Sequence, residues 1–279
     1  MIRHWVTYLG WKLLRVVSLL AAVCILTFWL VHLSPIDPVQ AYIGADLMLV
    51  GPEQRQQIAA HWGLDAPPWE RFARWLTALL HGDFGMSMIY RQPVLDVIGE
   101  RFWSSFILLV AAWALSGVLG IAAGTVAAMK RDSWLDRFVS WYCYTLAATP
   151  AYWLGLILLL IFSVWLGWFP IGLGVPAGVL AEDVTWLDKL RHMILPMMTL
   201  SITGIAPIAL HTRQKLLDVL ASDYVLFAKA RGRKGWELLR RHGLRNIALP
   251  AVSIQFASFS ELFGGSVLVE QVFSYPGLG

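Results

Sequence analysis

Long uncharged stretches alternate with polar segments along this chain, and their pattern predicts a series of membrane-spanning helices. Each stretch contains at least roughly the 20 apolar residues that a helix needs to cross the hydrocarbon layer. Pro196 and Pro207 are candidate kinks in the fourth span. The pattern therefore predicts an all-α polytopic membrane protein with five spans. The expected spans are 16–36, 102–129, about 139–168 with a kink near Pro150, 192–212 and 246–274.

The first apolar stretch fits either an uncleaved span or a cleaved signal peptide. A signal peptide would have a shorter apolar region that ends at small residues, whereas this stretch ends with Trp29-Leu-Val-His-Leu-Ser34-Pro35. We therefore favour the uncleaved span. Because cytoplasmic flanks concentrate Lys and Arg, residues 1–33, with Arg3, Lys12 and Arg15, are expected to form a cytoplasmic head and the first span.

Residues 34–101 form a polar segment with more acidic than basic residues, which suits an extracytoplasmic location. Pro52 and Glu53 predict a helix start, with the helix reaching Trp62. A second helix is expected over 68–80, with Trp69, Phe72, Leu76, Leu79 and Leu80 on one apolar face. Two roles are open for this segment: a lid or docking surface, and a cap packed over the helix bundle.

Residues 102–279 are expected to form the core transmembrane domain. In its first helix, Gly117, Gly120 and Gly124 are spaced by three and four residues and so share one helix face. Small residues on one face allow a second helix to approach closely. We therefore expect a helix-packing contact there.

The polar loop 213–245 interrupts the apolar second half and concentrates positive charge, which predicts a cytoplasmic location. Leu216, Leu217, Leu220, Tyr224, Phe227 and Ala228 recur at helical spacing, which predicts a first helix. Gly232 offers a break, and Trp236, Leu238, Leu239 and Leu244 predict a second short helix. Either a docking element for another protein, or a solvated loop or patch against anionic lipid, fits this pattern. The basic residues are Arg213, Lys215, Lys229, Arg231, Arg233, Lys234, Arg240, Arg241 and Arg245, with His242 beside them.

Several short sequences resemble the permease subunits of ABC importers, in particular the dipeptide, oligopeptide and nickel family. In the loop, the similarity lies in 228–232, 241–246 and Leu249-Pro250. The leading Glu of the general importer motif is absent, as is usual in this subfamily. Further similarity lies in Asp37-Pro38, 64–67, 81–85, 92–94 and the final turn 275–279.

The resemblance implies an ABC type I importer permease fold in a bacterial inner membrane. It further implies a sixth span beyond Gly279, a second homologous permease subunit, two ATP-binding subunits and an extracytoplasmic solute-binding protein. ATP and Mg would bind to the partner subunits, and no cofactor to this chain. The residues expected to couple to the ATPases are Tyr224, Phe227, Ala228, Ala230, Gly232, Trp236 and Leu239.

Composition narrows the class of protein further. The chain has 279 residues, of which 58% are hydrophobic and 14% charged, whereas charged residues make up about a quarter of a soluble domain. Its 15 Trp and 13 Phe suit the aromatic belts at membrane interfaces, so lipid is an expected partner. The basic residues lie between apolar spans, which argues against a nucleic-acid partner. Cys24 and Cys143 lie in apolar stretches without metal-ligand spacing, so no disulfide or zinc site is expected.

No Walker A sequence, nucleophile elbow or HExxH motif occurs, so we expect no catalytic residues and no ATPase site in this chain. The alternative function is an ion-coupled secondary transporter. Such a protein would use charges inside the membrane and would not need the basic loop. Dependence of transport on nucleotide separates the two classes.

Glu261 and Glu270 are the candidate pathway residues in the last span, because ionisable groups inside a membrane are costly. They are nine residues apart and therefore face roughly opposite sides of the helix. Glu270 matches an acid of the family and is expected to be structural or gate-lining. The run 260–265 resembles nickel-type members, so Glu261 slightly favours a cationic or metal-bearing substrate. A hydrogen bond to a neighbouring helix is its alternative role.

The substrate class therefore stays open between peptides and nickel or other metal chelates. His32, His192 and His211 lie at span ends and are weak candidates for metal contact, since interfacial packing explains them equally well. We expect no resident metal site.

Overall fold

A computed structural model describes residues 2–35, 37–43, 50–176, 178–179 and 183–279. Ile36, the last residue of the first expected span, lies outside these ranges, as does the Arg3 side chain. The described residues contain helices and turns but no β-strand, only an isolated bridge between Met86 and Pro93. The chain divides into two compact units, Met1–Val97 and Ile98–Gly279.

In the described part of the first unit there are one long helix and three short ones. An ion pair between Arg55 and Asp37 (2.9 Å) joins α3 to the start of α2. The rings of Phe28 and Phe72, with centroids 5.1 Å apart, join α1 to α4. The predicted helices at 52–62 and 68–80 are confirmed, while the first helix begins well before residue 16. Their bounds are Ile2–Leu33 (α1), Pro38–Ile43 (α2), Pro52–His61 (α3) and Pro68–Leu80 (α4).

The second unit contains the remaining helices, and α5 begins just before it. Four helices in the described ranges are long and apolar enough to cross a membrane, and a bent pair forms a fifth candidate. The number of expected spans is therefore consistent with the structure. Pro196 and Pro207 both lie inside the uninterrupted helix α8. The bounds are Val94–Met129 (α5), Trp134–Ala147 (α6), Ala151–Leu158 (α7), Trp186–Leu220 (α8), Asp223–Ala230 (α9), Gly235–Leu238 (α10) and Leu244–Val272 (α11).

The expected single helix over 139–168 is wrong. Helix α6 ends at Ala147, and the chain bends by 107° before α7 and the π-helical turn Leu159–Trp165 that follows it. Pro150 adopts an extended conformation with ψ 137°. The cause is local, because proline donates no amide hydrogen bond and disfavours the helical region at the preceding residue.

Helix α8 packs closely against α5 through the predicted glycine face. A Cβ atom at Gly120 would lie 2.8 Å from Ile208, and one at Gly124 would overlap the carbonyl oxygen of Ala209. A Cβ atom at Gly117 would lie 2.7 Å from the Gln255 amide on α11. These approaches leave no room for a side chain, which confirms the packing interpretation of the three glycines.

Candidate coupling surface and translocation cleft

The first part of the loop 213–245 contains the end of α8, a turn and α9, and not one continuous helix. Leu216 is fully buried and belongs to α8, which ends at Leu220. A turn at Ala221 and Ser222 separates it from α9. The predicted helix from Leu216 through Ala228 is therefore wrong, because a new helix starts after Ser222, a residue type that favours the position before a first helical turn.

One side of α9 anchors it to the rest of the second unit. Val225 and Ala228 are buried and pack with Leu238, against Val219 and Leu220 at the end of α8. This small apolar cluster fixes the position of α9.

Leu239, another of the expected coupling residues, is also buried. It packs with Ala128, Leu216 and Ile247. The structure therefore places Ala228 and Leu239 beneath the surface, where they support the exposed side chains.

The opposite side of this region exposes three aromatic residues, Tyr224, Phe227 and Trp236, which we call the aromatic patch. Their exposed fractions are 47%, 65% and 67%. Ala230 is exposed at the end of α9, and the Arg231 guanidinium lies 5.7 Å from the centre of the Phe227 ring. Large apolar surfaces ringed by polar groups are characteristic of interaction sites.

The basic residues around the aromatic patch are partly paired within the loop. Glu237 lies 3.8 Å from Arg233 and 3.4 Å from Arg241. Arg233 also lies 3.3 Å from the Nε2 atom of His242. These are half-exposed contacts, so each contributes little to stability.

Gly232 ends α9 in a left-handed conformation, with φ +88°. Its amide donates to the carbonyl of Lys229, and the Arg233 amide donates to that of Ala228. Apart from its two chain neighbours, no atom of the described residues lies within 4 Å of where a Cβ would be, so a substitution there meets backbone strain and no steric clash with them. The predicted break at Gly232 is confirmed.

The second short helix expected around Trp236 is not separate. Helix α10 continues through a π-helical turn, Leu239–Gly243, into α11. Nothing in this run breaks a helix: Leu238, Leu239 and Gly243 are buried against the unit, and no proline occurs before Pro250. The motif therefore forms the beginning of the last long helix.

Glu261 lies on α11 in an open cleft of about 610 Å³. Its side chain is exposed and, among the described residues, has neither a hydrogen bond nor an ion pair, so the expected alternative of a bond to a neighbouring helix is not seen there. The hydroxyls of Ser258 and Thr203 donate to carbonyls of their own helices, and that of Thr149, just after α6, donates back to the Thr145 carbonyl of α6. Their oxygen lone pairs remain available to accept from a ligand. Apolar residues complete the lining, among them Leu146, Ala151, Leu200, Pro207, Leu210 and Leu262.

Glu270 lies on the other side of α11 and is only 1% exposed. Its carboxyl group accepts from the Ser105 hydroxyl (2.7 Å) and from the Gly279 amide (2.7 Å). Ser105 in turn accepts from the Leu278 amide, at 2.8 Å. Glu270 thus ties α5 to the turn after α11. Of the two roles expected for it, structural or gate-lining, these contacts favour the structural one. The two acids differ in their surroundings, since Glu261 is exposed and Glu270 is buried.

The sequence did not point to the most buried ion pair of the described residues. Asp136, which is 3% exposed, accepts from Nε and Nη2 of Arg213, the latter at 2.8 Å, and from the Asp132 amide at 3.0 Å. This pair joins the start of α6 to α8. Arg213 therefore serves an internal contact, although its position had placed it with the surface charges of the loop. The local signal in the sequence is Ser133, a residue type that favours the start of a helix. It places Asp136 in the first turn of α6 but does not identify Arg213 as its partner.

Two of the three candidate histidines, His192 and His32, make contacts with neighbouring protein groups. The Nδ1 atom of His192 lies 2.9 Å from the Gly172 carbonyl oxygen and 3.0 Å from that of Leu173. His32 packs against the Trp29 ring. Across the described ranges, no three His, Cys, Asp or Glu side chains come together as metal ligands would.

Comparison with known proteins places this architecture in a family. The family described as binding-protein-dependent transport system inner membrane component matches residues 120–279. The chain is 35% identical over 272 residues to the glutathione transport system permease protein GsiC of Escherichia coli strain K12, covering 96% of this chain and 82% of that protein. Its identity to the same protein of Salmonella paratyphi A is 36%, with the same coverage. The chain is therefore a member of the binding-protein-dependent ABC importer family, as one of its inner-membrane permease subunits.

Proposed function

We propose that this chain forms half of the translocation pathway of an ATP-driven importer of small peptides. A second homologous permease subunit would supply the other half. Two ATP-binding subunits would power the cycle with ATP and Mg, and an extracytoplasmic solute-binding protein would deliver the substrate. Membership of the family supports this assembly, and the sequence contains no Walker A motif of its own.

The aromatic patch is the proposed contact with one ATP-binding subunit. Tyr224, Phe227 and Trp236 present apolar area at the break between α8 and α11, and Ala228 and Leu239 hold that area in place from below. Burial of a large apolar side chain contributes roughly 1.5–3 kcal/mol, whereas an exposed ion pair contributes about 0–1 kcal/mol. Apolar contacts would therefore determine the docking strength, and the surrounding Arg residues its orientation.

The exposed carboxyl group of Glu261 is the observation that favours a peptide substrate. A single acid beside hydroxyl groups and apolar side chains suits an α-ammonium group followed by a short chain. The relatives named for glutathione transport support the same substrate class. A nickel chelate has less support, because the cleft supplies one carboxylate and no second metal ligand among its described lining residues.

The proposed orientation places the N-terminus, and the loop 213–245 with it, in the cytoplasm. Lys12 and Arg15 precede the apolar part of α1, and the loop carries the densest basic cluster of the chain. Short cytoplasmic segments concentrate such residues.

The substrate proposal is tested by uptake of labelled glutathione and dipeptides into liposomes that contain the complete transporter. Glu261→Gln should reduce uptake at least tenfold while the assembled complex and its basal ATPase activity persist, and Glu261→Asp should recover part of the loss. Ser260→Ala, an exposed neighbour outside the cleft, is the matched control. Wild-type uptake in Glu261→Gln, or transport of nickel chelates but not of peptides, would refute the peptide proposal.

A further inference from the structure

A second open groove, of about 650 Å³, lies within the first unit, between α1 on one side and α4 with the turn that follows α3 on the other. Its α1 wall is formed by Val23, Cys24, Thr27, Phe28 and Val31. All five belong to the candidate span Trp5–Leu33. One wall of this groove is therefore part of a helix that lies in the membrane, so lipid chains have direct access to it.

The other wall carries two arginines without an acidic partner. Arg71 and Arg74 are three residues apart on α4 and so lie on the same side of it. Neither makes an ion pair with any described residue, whereas Arg55 of the same unit is paired with Asp37 and Arg91 donates to the Tyr42 carbonyl.

Two tryptophans, Trp62 and Trp75, stand beside these arginines in the groove. Tryptophan concentrates at the level of lipid headgroups, where its apolar ring contacts the lipid and its N–H group can hydrogen-bond to water or headgroups. The groove thus has an apolar wall along α1 and a positively charged, aromatic rim formed by α4 and Trp62.

We propose that this groove binds an anionic phospholipid of the surrounding membrane. The phosphate group would lie between the guanidinium groups of Arg71 and Arg74, which are well suited to phosphate oxygens. One acyl chain would run along Val23, Thr27 and Val31. The apolar wall selects a lipid over a free anion, and the unpaired arginines select an anionic headgroup over a zwitterionic one.

The test is a titration of the purified transporter with phosphatidylglycerol and with phosphatidylcholine of identical chains, followed by native mass spectrometry. Phosphatidylglycerol should bind more tightly. The double variant Arg71→Gln/Arg74→Gln should weaken phosphatidylglycerol binding by about fivefold per arginine. It should weaken phosphatidylcholine binding less, because choline offsets the phosphate charge, so the preference between the two lipids should fall. The control Arg55→Gln/Arg91→Gln removes the same charge from arginines that already have partners and should keep the preference.

A second variant tests the apolar part of the groove. Ala78 lines it, whereas Ala73 on the same helix is exposed outside it. Ala78→Trp should place an indole ring in part of the groove and lower lipid occupancy at least fivefold, and Ala73→Trp should not. Equal binding of the two lipids to the native protein, unchanged binding in both the arginine and Ala78 variants, or displacement of the lipid by equimolar glycerol phosphate would overturn the proposal.

Discussion

At the scale of residues, Glu261 and Glu270 lie on the same helix but in different surroundings, one exposed and one buried. Glu270 is enclosed and satisfied by the Ser105 hydroxyl and the Gly279 amide. Glu261 faces an open cleft without a described partner. Burying a polar group is tolerated only when hydrogen bonds replace water, so the buried acid is part of the scaffold and the exposed acid is available for a ligand.

This division predicts that Glu270 is important for stability. Glu270→Leu should lower the thermal unfolding temperature of the assembled transporter, because the Ser105 hydroxyl and the Gly279 amide lose their partner at a cost of about 1–3 kcal/mol each. Ser105→Ala should cause part of the same loss, and the two changes together should cost less than their sum. Differential scanning fluorimetry measures these shifts. Gln271→Leu, an exposed neighbour, is the control, and equal stability of Glu270→Leu and this control would contradict the structural role.

At the scale of elements, the region between α8 and α11 carries the aromatic patch, which we propose as the docking surface for an ATP-binding subunit. Val225 and Ala228 fix α9, and Gly232, with a φ of +88°, lies in the turn between α9 and α10. The surroundings leave space for a side chain at this position, but the positive φ disfavours residues other than glycine. The backbone conformation is therefore the reason for glycine here.

Gly232→Val should therefore uncouple the transporter. A β-branched residue is strongly disfavoured at positive φ, so α9 and α10 should shift relative to each other while the spans still insert. Co-purification of the ATP-binding subunits, or substrate transported per ATP hydrolysed, should fall at least tenfold. Arg233→Ala should do much less, since its contacts with Glu237 and His242 are half-exposed, and Gly232→Asn should be milder than Gly232→Val. Wild-type coupling in Gly232→Val together with collapse in Arg233→Ala would refute this assignment.

Much of the helical architecture could be predicted from the sequence. The rest could not, for physical reasons. Apolar length predicted the spans, glycine spacing predicted the contact between α5 and α8, and Gly232 predicted the break. The 107° bend at Pro150 was underestimated as a kink, because proline shows that a helix is interrupted but not where the chain goes next.

Contacts between distant segments were the other limit. Ala228 and Leu239 share helical spacing with exposed residues, and only the packing of α8 and α11 shows that they are buried. The pairs Asp136–Arg213 and Ser105–Glu270 join residues far apart in the chain, which local patterns do not reveal.

At the scale of the whole molecule, the basic loop and the polar segment 34–101 should face opposite sides of the membrane. Single cysteines at Gln56 and Lys234, in a variant whose Cys24 and Cys143 are replaced by Ala, should react with an impermeant maleimide from opposite sides of the vesicle membrane. Both positions are exposed, so accessibility does not limit the reaction. Labelling of both from one side would contradict the proposed orientation.

We propose that this chain forms part of the translocation pathway and that partner ATPases supply the energy for transport. The most direct measurement is uptake of labelled peptide into liposomes that contain the chain with its permease, ATP-binding and solute-binding partners. We predict that uptake requires ATP on the side of the membrane where the ATP-binding subunits are bound. Uptake should stop when those subunits are omitted. Peptide uptake driven by an ion gradient, without ATP or the ATP-binding subunits, would contradict the account.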